Sequence, residues 1–256
     1  MRAVELFDVS RQVAIVTGAA GGIGFEIVRV LAHNGACVYL ADIDAKGLDT
    51  ALARLGDEAG ECIGVQADVT DETALARLFD QVEAEKGGAT LLVNNAGIIH
   101  RNKAARLDRE IFDKVLTTNV EAAFLAARLF ADRGIAAGRQ GAIINVTSIL
   151  AEVPVKQVLA YCASKAALSQ MTRGMALEWG QHGIRVNEIR PGWFDTSLTE
   201  DFLKSPGREL LARQNPLGRL GHHGDLDGAV LFLASQASAY VTGAAITVDG
   251  GHTIAR

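Results

Sequence analysis

Tyr161-Cys162-Ala163-Ser164-Lys165 sets a phenol and an ammonium at i and i+4, on one face of a helix. A neighbouring ammonium favours the phenolate, so this spacing is expected to lower the tyrosine pKa from about 10 towards working pH. Ser148 lies thirteen residues upstream, at the end of a β-branched run, where its hydroxyl can hold a substrate oxygen. In a chain of this composition a Tyr-x-x-x-Lys arises by chance with a probability of ~0.08, and ~0.003 once the upstream serine is also required. Such a trio suits proton transfer to and from an oxygen.

A second group points to a ligand rather than a reaction. Thr17-Gly18-Ala19-Ala20-Gly21-Gly22-Ile23-Gly24 falls between a strand-like run and a helix-like one. Glycines in that place permit a tight turn and let backbone amides approach a pyrophosphate, which the helix N-terminus stabilises. Asp42 follows the next strand-like run, twenty-four residues beyond Gly18, close to the ~20 expected of a ribose-binding acid. A carboxylate there accepts from both ribose hydroxyls and repels a 2′-phosphate, which favours NAD. The plainer alternative is a solvated cap for the following helix.

The elements that must position these residues alternate. Val13–Thr17, Cys37–Ala41, Ile63–Gln66, Leu91–Val93, Ala142–Val146, Arg185–Ile189 and Ala244–Val248 read as strands. Helical stretches are expected over Ile23–Asn34 (stopped at Gly35), Ala45–Leu55, Asp71–Lys86, Asp108–Arg133 and Leu159–Gly180. Strands apolar nearly throughout imply burial on both faces, hence a parallel sheet of about seven strands with helices on each side. Right-handed crossovers then leave a Rossmann-like doubly wound α/β fold, with ligands beyond the carboxyl ends of the strands. No linker divides the chain, so residues 1–256 are expected to form a single dinucleotide-binding and catalytic domain.

Composition excludes several classes. With 256 residues, 49% hydrophobic and 21% charged, the chain can bury a core without disulfide staples. A net charge of −5 and no block of Lys and Arg argue against nucleic acid as a partner. Cys37, Cys62 and Cys162 share no motif and read as reduced, buried small residues of a cytoplasmic protein. Met1–Ser10 lacks the apolar core of a signal peptide. The uncharged run Ala229–Val248 is interrupted by Ser235, Gln236, Ser238, Thr242 and Gly243, which reads as helix, turn and strand rather than a membrane span. The six histidines show no metal-ligand spacing, and His222-His223 reads as a solvated loop pair, so no metal is expected.

From Arg11 to Gly251 the chain resembles the short-chain dehydrogenases/reductases. Thr17–Gly24 matches their Thr-Gly-x-x-x-Gly-x-Gly, Asp68-Val69 their adenine contact, and Asn94-Asn95-Ala96-Gly97 their sheet- and cofactor-supporting segment. Ser148, Tyr161 and Lys165 match the catalytic trio, and Asn119 the asparagine that holds a relay water. Pro191-Gly192, Phe194 and Thr196 match the segment at the nicotinamide. The resemblance implies that Tyr161 exchanges a proton with the reacting oxygen, Ser148 holds that oxygen, and Lys165 binds the nicotinamide ribose. It also implies that Gly18, Gly22, Ile23, Gly24, Asp42, Asp68, Val69, Asn95, Ala96, Gly97, Tyr161, Lys165, Pro191, Gly192, Phe194 and Thr196 contact NAD.

For the substrate, Ile98-Ile99-His100-Arg101 is similar to the gluconate 5-dehydrogenase and 2-deoxygluconate 3-dehydrogenase branch, which carries an arginine there. A guanidinium at Arg101 suits the paired hydrogen bonds of a sugar-acid carboxylate, although an ordinary surface arginine fits the sequence equally well. The expected substrate is a small secondary alcohol or ketone: a sugar, sugar acid or polyol. Two other readings stand beside it, a 3-oxoacyl-carrier-protein reductase and a non-catalytic dinucleotide sensor. Glu188 and Arg190 stand where the family has small residues, either pairing across one strand face or with Arg190 at the ligand. The stretch Leu198–Gln214 resembles the family's substrate lid. The helices 108–133 and 159–180 resemble the surface through which the family forms tetramers, so a homotetramer is expected.

Overall fold

Alternation of β-branched and amphipathic segments produces one sheet sandwiched between two helical layers. The computed structural model describes residues 2–56, 59–194 and 207–255. In chain order the elements are α1 (Ala3–Leu6), β1 (Val13–Thr17), α2 (Gly22–His33), β2 (Cys37–Asp42), α3 (Ala45–Leu55), β3 (Cys62–Gln66), α4 (Glu72–Lys86) and β4 (Leu91–Asn94). They continue with α5 (Arg109–Leu116), α6 (Ala122–Ala136), β5 (Gly141–Val146), α7 (Leu159–Trp179), β6 (Ile184–Pro191), α8 (Gly207–Gln214), α9 (Asp227–Ala234) and β7 (Ala245–Val248).

The seven strands are all parallel, in the order β3-β2-β1-β4-β5-β6-β7. Strand order reverses between β1 and β4, where Val16 pairs with Val93. Side chains alternate between two cores. Val16, Leu40 and Val93 pack with α2, α3 and α9, whereas Ile15, Tyr39 and Leu92 pack with α4, α6 and α7. The crevice at the reversal, above the ends of β1 and β4, is where a doubly wound sheet binds its ligand.

Three expectations need correction. The two edge strands, β3 and β7, are exposed along one face and half-buried along the other rather than buried on both. Their flank lacks a neighbouring strand, and helices cover them only in part. Cys62, on the edge strand β3, and Cys37, at the start of β2, are half-buried, and only Cys162 is buried. The expected helix over residues 108–133 is two helices joined by a π-helical turn, Thr117–Glu121. The wider i→i+5 turn inserts an extra residue, and Asn119 within it is fully buried.

Candidate active site

The glycine loop runs from β1 to the start of α2, and at Gly18 and Gly24 its geometry excludes a side chain. Gly18 has φ +64°, and a Cβ there would sit 2.8 Å from Ala96 Cα. A Cβ on Gly24 would lie 2.0 Å from the Gly18 carbonyl oxygen. Thr17 and Asn95 hold this approach from below. Thr17 Oγ1 accepts from the amides of Asn95 and Ala96, each at 3.1 Å, and Asn95 Nδ2 donates to the carbonyls of Thr17 (3.1 Å) and Gly18 (2.9 Å). Asn95 thus spends its amide on shaping the loop. At the end of β2, Asp42 accepts from Ala20 N and Asp44 N, both at 3.0 Å, which sets its carboxylate over the loop. Asp68 accepts from the hydroxyl and the amide of Thr70, and these bonds hold its pKa below the ordinary aspartate value.

A cleft of about 820 Å³ opens above these residues. Its lining includes Gly18, Gly22, Ile23, Asp42, Asp68, Val69, Asn95, Ala96, Gly97, Ser148, Tyr161, Lys165, Pro191, Gly192 and Phe194. Ser148 follows β5 and opens the 3₁₀ turn Ile149–Ala151, where its Oγ accepts from Leu150 N at 3.1 Å. Tyr161 and Lys165 face the cleft one turn apart on α7, and Lys165 Nζ lies 5.6 Å from the phenol ring centre while donating to Val146 O at 2.8 Å. Burial pushes Tyr161 up to about 12, with the Ser148 hydrogen bond acting against it. Burial also pulls Lys165 down to about 8. The expected lowering of the tyrosine by its lysine is therefore reversed in this structure. The same burial that desolvates the phenol makes the ammonium costly, so desolvation is the largest effect on both groups.

Asn119 closes the rear of the site. Its Oδ1 accepts from Ile98 N at 2.8 Å, and its Nδ2 donates to Ile98 O (3.0 Å) and Ser164 Oγ (2.9 Å). A methyl on Gly97 would meet Asn119 Oδ1 at 3.2 Å and Lys165 Nζ at 3.6 Å, so the two side chains flank the same glycine. Deeper in the sheet, Asn94 Nδ2 donates to Asn145 Oδ1 (2.9 Å), and Asn145 Nδ2 to Thr172 Oγ1 (2.8 Å). This buried relay ties β4 and β5 to α7.

Comparison with known proteins agrees with this geometry. Residues 18–253 match the family profile described as enoyl-(acyl carrier protein) reductase. The gluconate 5-dehydrogenase of Gluconobacter oxydans is 36% identical over 251 residues, covering 98% of both chains. The galactitol 2-dehydrogenase (L-tagatose-forming) of Cereibacter sphaeroides is 38% identical, covering 97% of this chain and 98% of that one. A gluconate 5-dehydrogenase from Burkholderia cenocepacia, solved in complex with NADP and tartrate, superposes with a TM-score of 0.93 at 32% identity, covering 99% of both chains. The chain belongs to the short-chain dehydrogenase/reductase family. It is thus a dinucleotide-dependent oxidoreductase acting on alcohol and carbonyl groups.

Within this short-chain dehydrogenase/reductase, most of the expected site residues converge on the cleft, but not all in the expected way. Thr196 lies outside the described residues, as does 198–206 of the expected lid; α8 forms the remainder. Arg101 lines the cleft mouth. Its loop is tied to the segment before α7, because Asn102 N donates to Gln157 O at 2.8 Å. Glu188 and Arg190 pair with each other at 2.7 Å and line no part of the cleft, which decides between the two readings of that segment. His223 is not simply solvated, since its Nδ1 lies 2.9 Å from Glu26 Oε1. Among the described residues no cluster of His, Cys, Asp and Glu could hold a metal ion, and no helix is long and apolar enough to cross a membrane. Sequence reasoning missed the apolar wall beside Tyr161, formed by Ile99, Leu150, Val155, Val158 and Trp193. These residues share no spacing, being drawn from three separate segments.

Proposed function

We propose that this protein interconverts a secondary alcohol and a ketone with NAD(H), on a sugar, sugar acid or polyol. The observation that carries the reading is the convergence of Ser148, Tyr161 and Lys165 on one glycine-lined cleft, with the Lys165 ammonium 5.6 Å from the Tyr161 ring centre. In reduction the Tyr161 hydroxyl passes its proton to the carbonyl oxygen, and in oxidation the phenolate takes it back. Ser148 Oγ holds that oxygen in place. Lys165 supplies the charge that supports the phenolate, and Asn119, across Gly97 from Lys165, orders the rear of the site where a water relay would run. When bound, the nicotinamide dinucleotide supplies or accepts the hydride.

The residues present fit such a cofactor. The cradle formed by Gly18 and Gly24 has no room for a Cβ, and the N-terminus of α2 faces it. Asp42 and Ile43 line the cleft beside Gly21 and Gly22, and the cationic side chains in the described lining are Arg101, Lys114 and Lys165, none of them on these loops. That distribution favours a free 2′-hydroxyl over a 2′-phosphate, and so NAD over the NADP held by the Burkholderia structure. We further read residues 1–256 as one catalytic unit of a cytoplasmic homotetramer that takes a small-molecule substrate and neither nucleic acid nor membrane.

Arg101 is the basis for an acidic substrate. Gluconate, galactitol and a β-ketoacyl thioester, assayed with both cofactors, separate this reading from a 3-oxoacyl-carrier-protein reductase. Dinucleotide binding without turnover on any of them favours a sensor. Removing a charged hydrogen-bond partner typically costs roughly 1.5–3 kcal/mol, or about ten- to 150-fold. Arg101→Ala is therefore expected to lower kcat/KM for the acid by that factor and to spare the neutral polyol. Equal losses on both substrates make Arg101 structural and remove the sugar-acid reading.

A further inference from the structure

Arg190 is a buried cation outside the reaction just described. It is 4% exposed, and its partners come from three segments. Nη2 donates to Glu188 Oε1 at 2.7 Å, on its own strand β6, and to Ser169 Oγ at 2.9 Å. Ser169 in turn donates to Glu188 Oε1 at 2.8 Å, closing a triangle. Nη1 donates to Glu152 Oε1, just past the 3₁₀ turn that Ser148 opens.

The placement of those partners gives the cluster its meaning. Tyr161, Lys165 and Ser169 are spaced i, i+4 and i+8, so they share one buried stripe of α7. Ser148 and Glu152 belong to one short stretch after β5, and Arg190 directly precedes the Pro191-Gly192 that lines the cleft. One guanidinium therefore joins the three pieces of backbone that carry Ser148, Tyr161 with Lys165, and the far wall of the cleft. Stability is a weak explanation for it. A buried ion pair is commonly matched or exceeded by apolar residues of similar volume. Here Glu188 Oε2 and Arg190 Nε are also buried without a hydrogen-bond partner among the described residues.

We propose that Arg190 is a positioning residue: its guanidinium clamps the Ser148–Glu152 stretch onto α7 and β6, and so fixes the approach of the Ser148 and Tyr161 hydroxyls. This rests on the Ser148–Tyr161 reading of the site. The groups acting on the Tyr161 phenol are Lys165 and Cys162 from its own helix and Ser148 from the loop. Of these, only Ser148 is reached through the clamp. Because the Ser148 hydrogen bond lowers the Tyr161 pKa, a loosened clamp raises it.

Glu152→Ala is the informative variant, since that side chain is 54% exposed and its loss threatens the fold little. It is compared with Arg190→Lys and with the apolar pair Glu188→Leu/Arg190→Met. The clamp requires kcat for alcohol oxidation to fall about tenfold in Glu152→Ala with dinucleotide affinity unchanged, as small misplacements of reacting groups do. Its pH–rate profile should also move to higher pH. The apolar pair should fold at least as stably as the parent yet show the same defect, and Arg190→Lys should recover part of it. A readout independent of turnover is the ¹³Cζ resonance of Tyr161, one of three tyrosines, assigned with Tyr161→Phe. Its titration midpoint should rise in Glu152→Ala and in the apolar pair. An unmoved midpoint overturns the clamp, even if activity falls in step with stability. A parent that turns over no substrate, or a fully active Tyr161→Phe, overturns the catalytic reading instead, and the midpoint still decides the clamp.

Discussion

Tyr161 and Lys165 pose opposite demands on one patch of apolar wall. Burial favours the neutral phenol and the neutral amine, whereas proton transfer needs the phenolate within reach. Tyr161→Phe removes the proposed proton donor and little volume, so dinucleotide binding should persist while turnover falls by at least the ~10²–10⁴ typical of a general acid–base group. Steady-state rates beside a binding titration test this, and full activity refutes the role. Lys165 makes a separate prediction about stability. Its folded pKa, about 8, lies below the ordinary 10.5, so between these values the unfolded chain binds more protons and stability rises with pH. The parent-minus-variant stability for Lys165→Met should therefore be flat below about pH 8 and climb towards about pH 10, as read from urea unfolding. A difference that is flat throughout removes the buried cation. Tyr161 and Lys165 were legible because their spacing follows helical periodicity, and Ser148 because it ends a strand-like run. Arg190 was not: its partners Glu152 and Ser169 are 38 and 21 residues away and become neighbours only through strand pairing and a crossover.

At the scale of elements, the loop between β1 and α2 is the most demanding piece of backbone. An alanine at Gly24 would press its Cβ to 2.0 Å from the Gly18 carbonyl oxygen, so the start of α2 must back away from the loop. Overpacking of this kind typically costs about 1–3 kcal/mol. Gly24→Ala should accordingly weaken dinucleotide binding by about tenfold or more, with a smaller effect on kcat at saturation. Calorimetry and saturation kinetics separate the two, and an unchanged Kd would show that the close approach is unimportant. The central strands were legible as nearly continuous apolar runs because both of their faces are buried. The edges misled for the converse reason: in β7 the pattern alternates between exposed and half-buried residues. Thr117–Glu121 carries no glycine or proline to announce a π-turn, and its cause is tertiary, since Asn119 must reach both Ile98 and Ser164.

At the scale of the molecule, the cleft lies where the two halves of the sheet meet, so its ligand couples them. A dinucleotide present at about 100-fold its Kd should stabilise the protein by about 2.7 kcal/mol through mass action. NAD should raise Tm more than equimolar NADP, and Asp42→Ala combined with Ile43→Arg should reverse that order. A parent stabilised more by NADP contradicts the role given to Asp42. The same central seam has a consequence for the chain as it is made. β1 ends up in the middle of the sheet, yet its partner on one side, β4, lies 77 residues further along at the Val16–Val93 pair. Synthesis from the N-terminus delivers β1, β2 and β3 first, so a nascent chain holds a three-stranded half-sheet with one long, apolar, unpaired edge. Open edges of that kind template pairing with other chains. Ribosome stalling between Gln66 and Leu91 would therefore create an aggregation-prone species, and a separately expressed 1–90 fragment should need a chaperone to stay in solution.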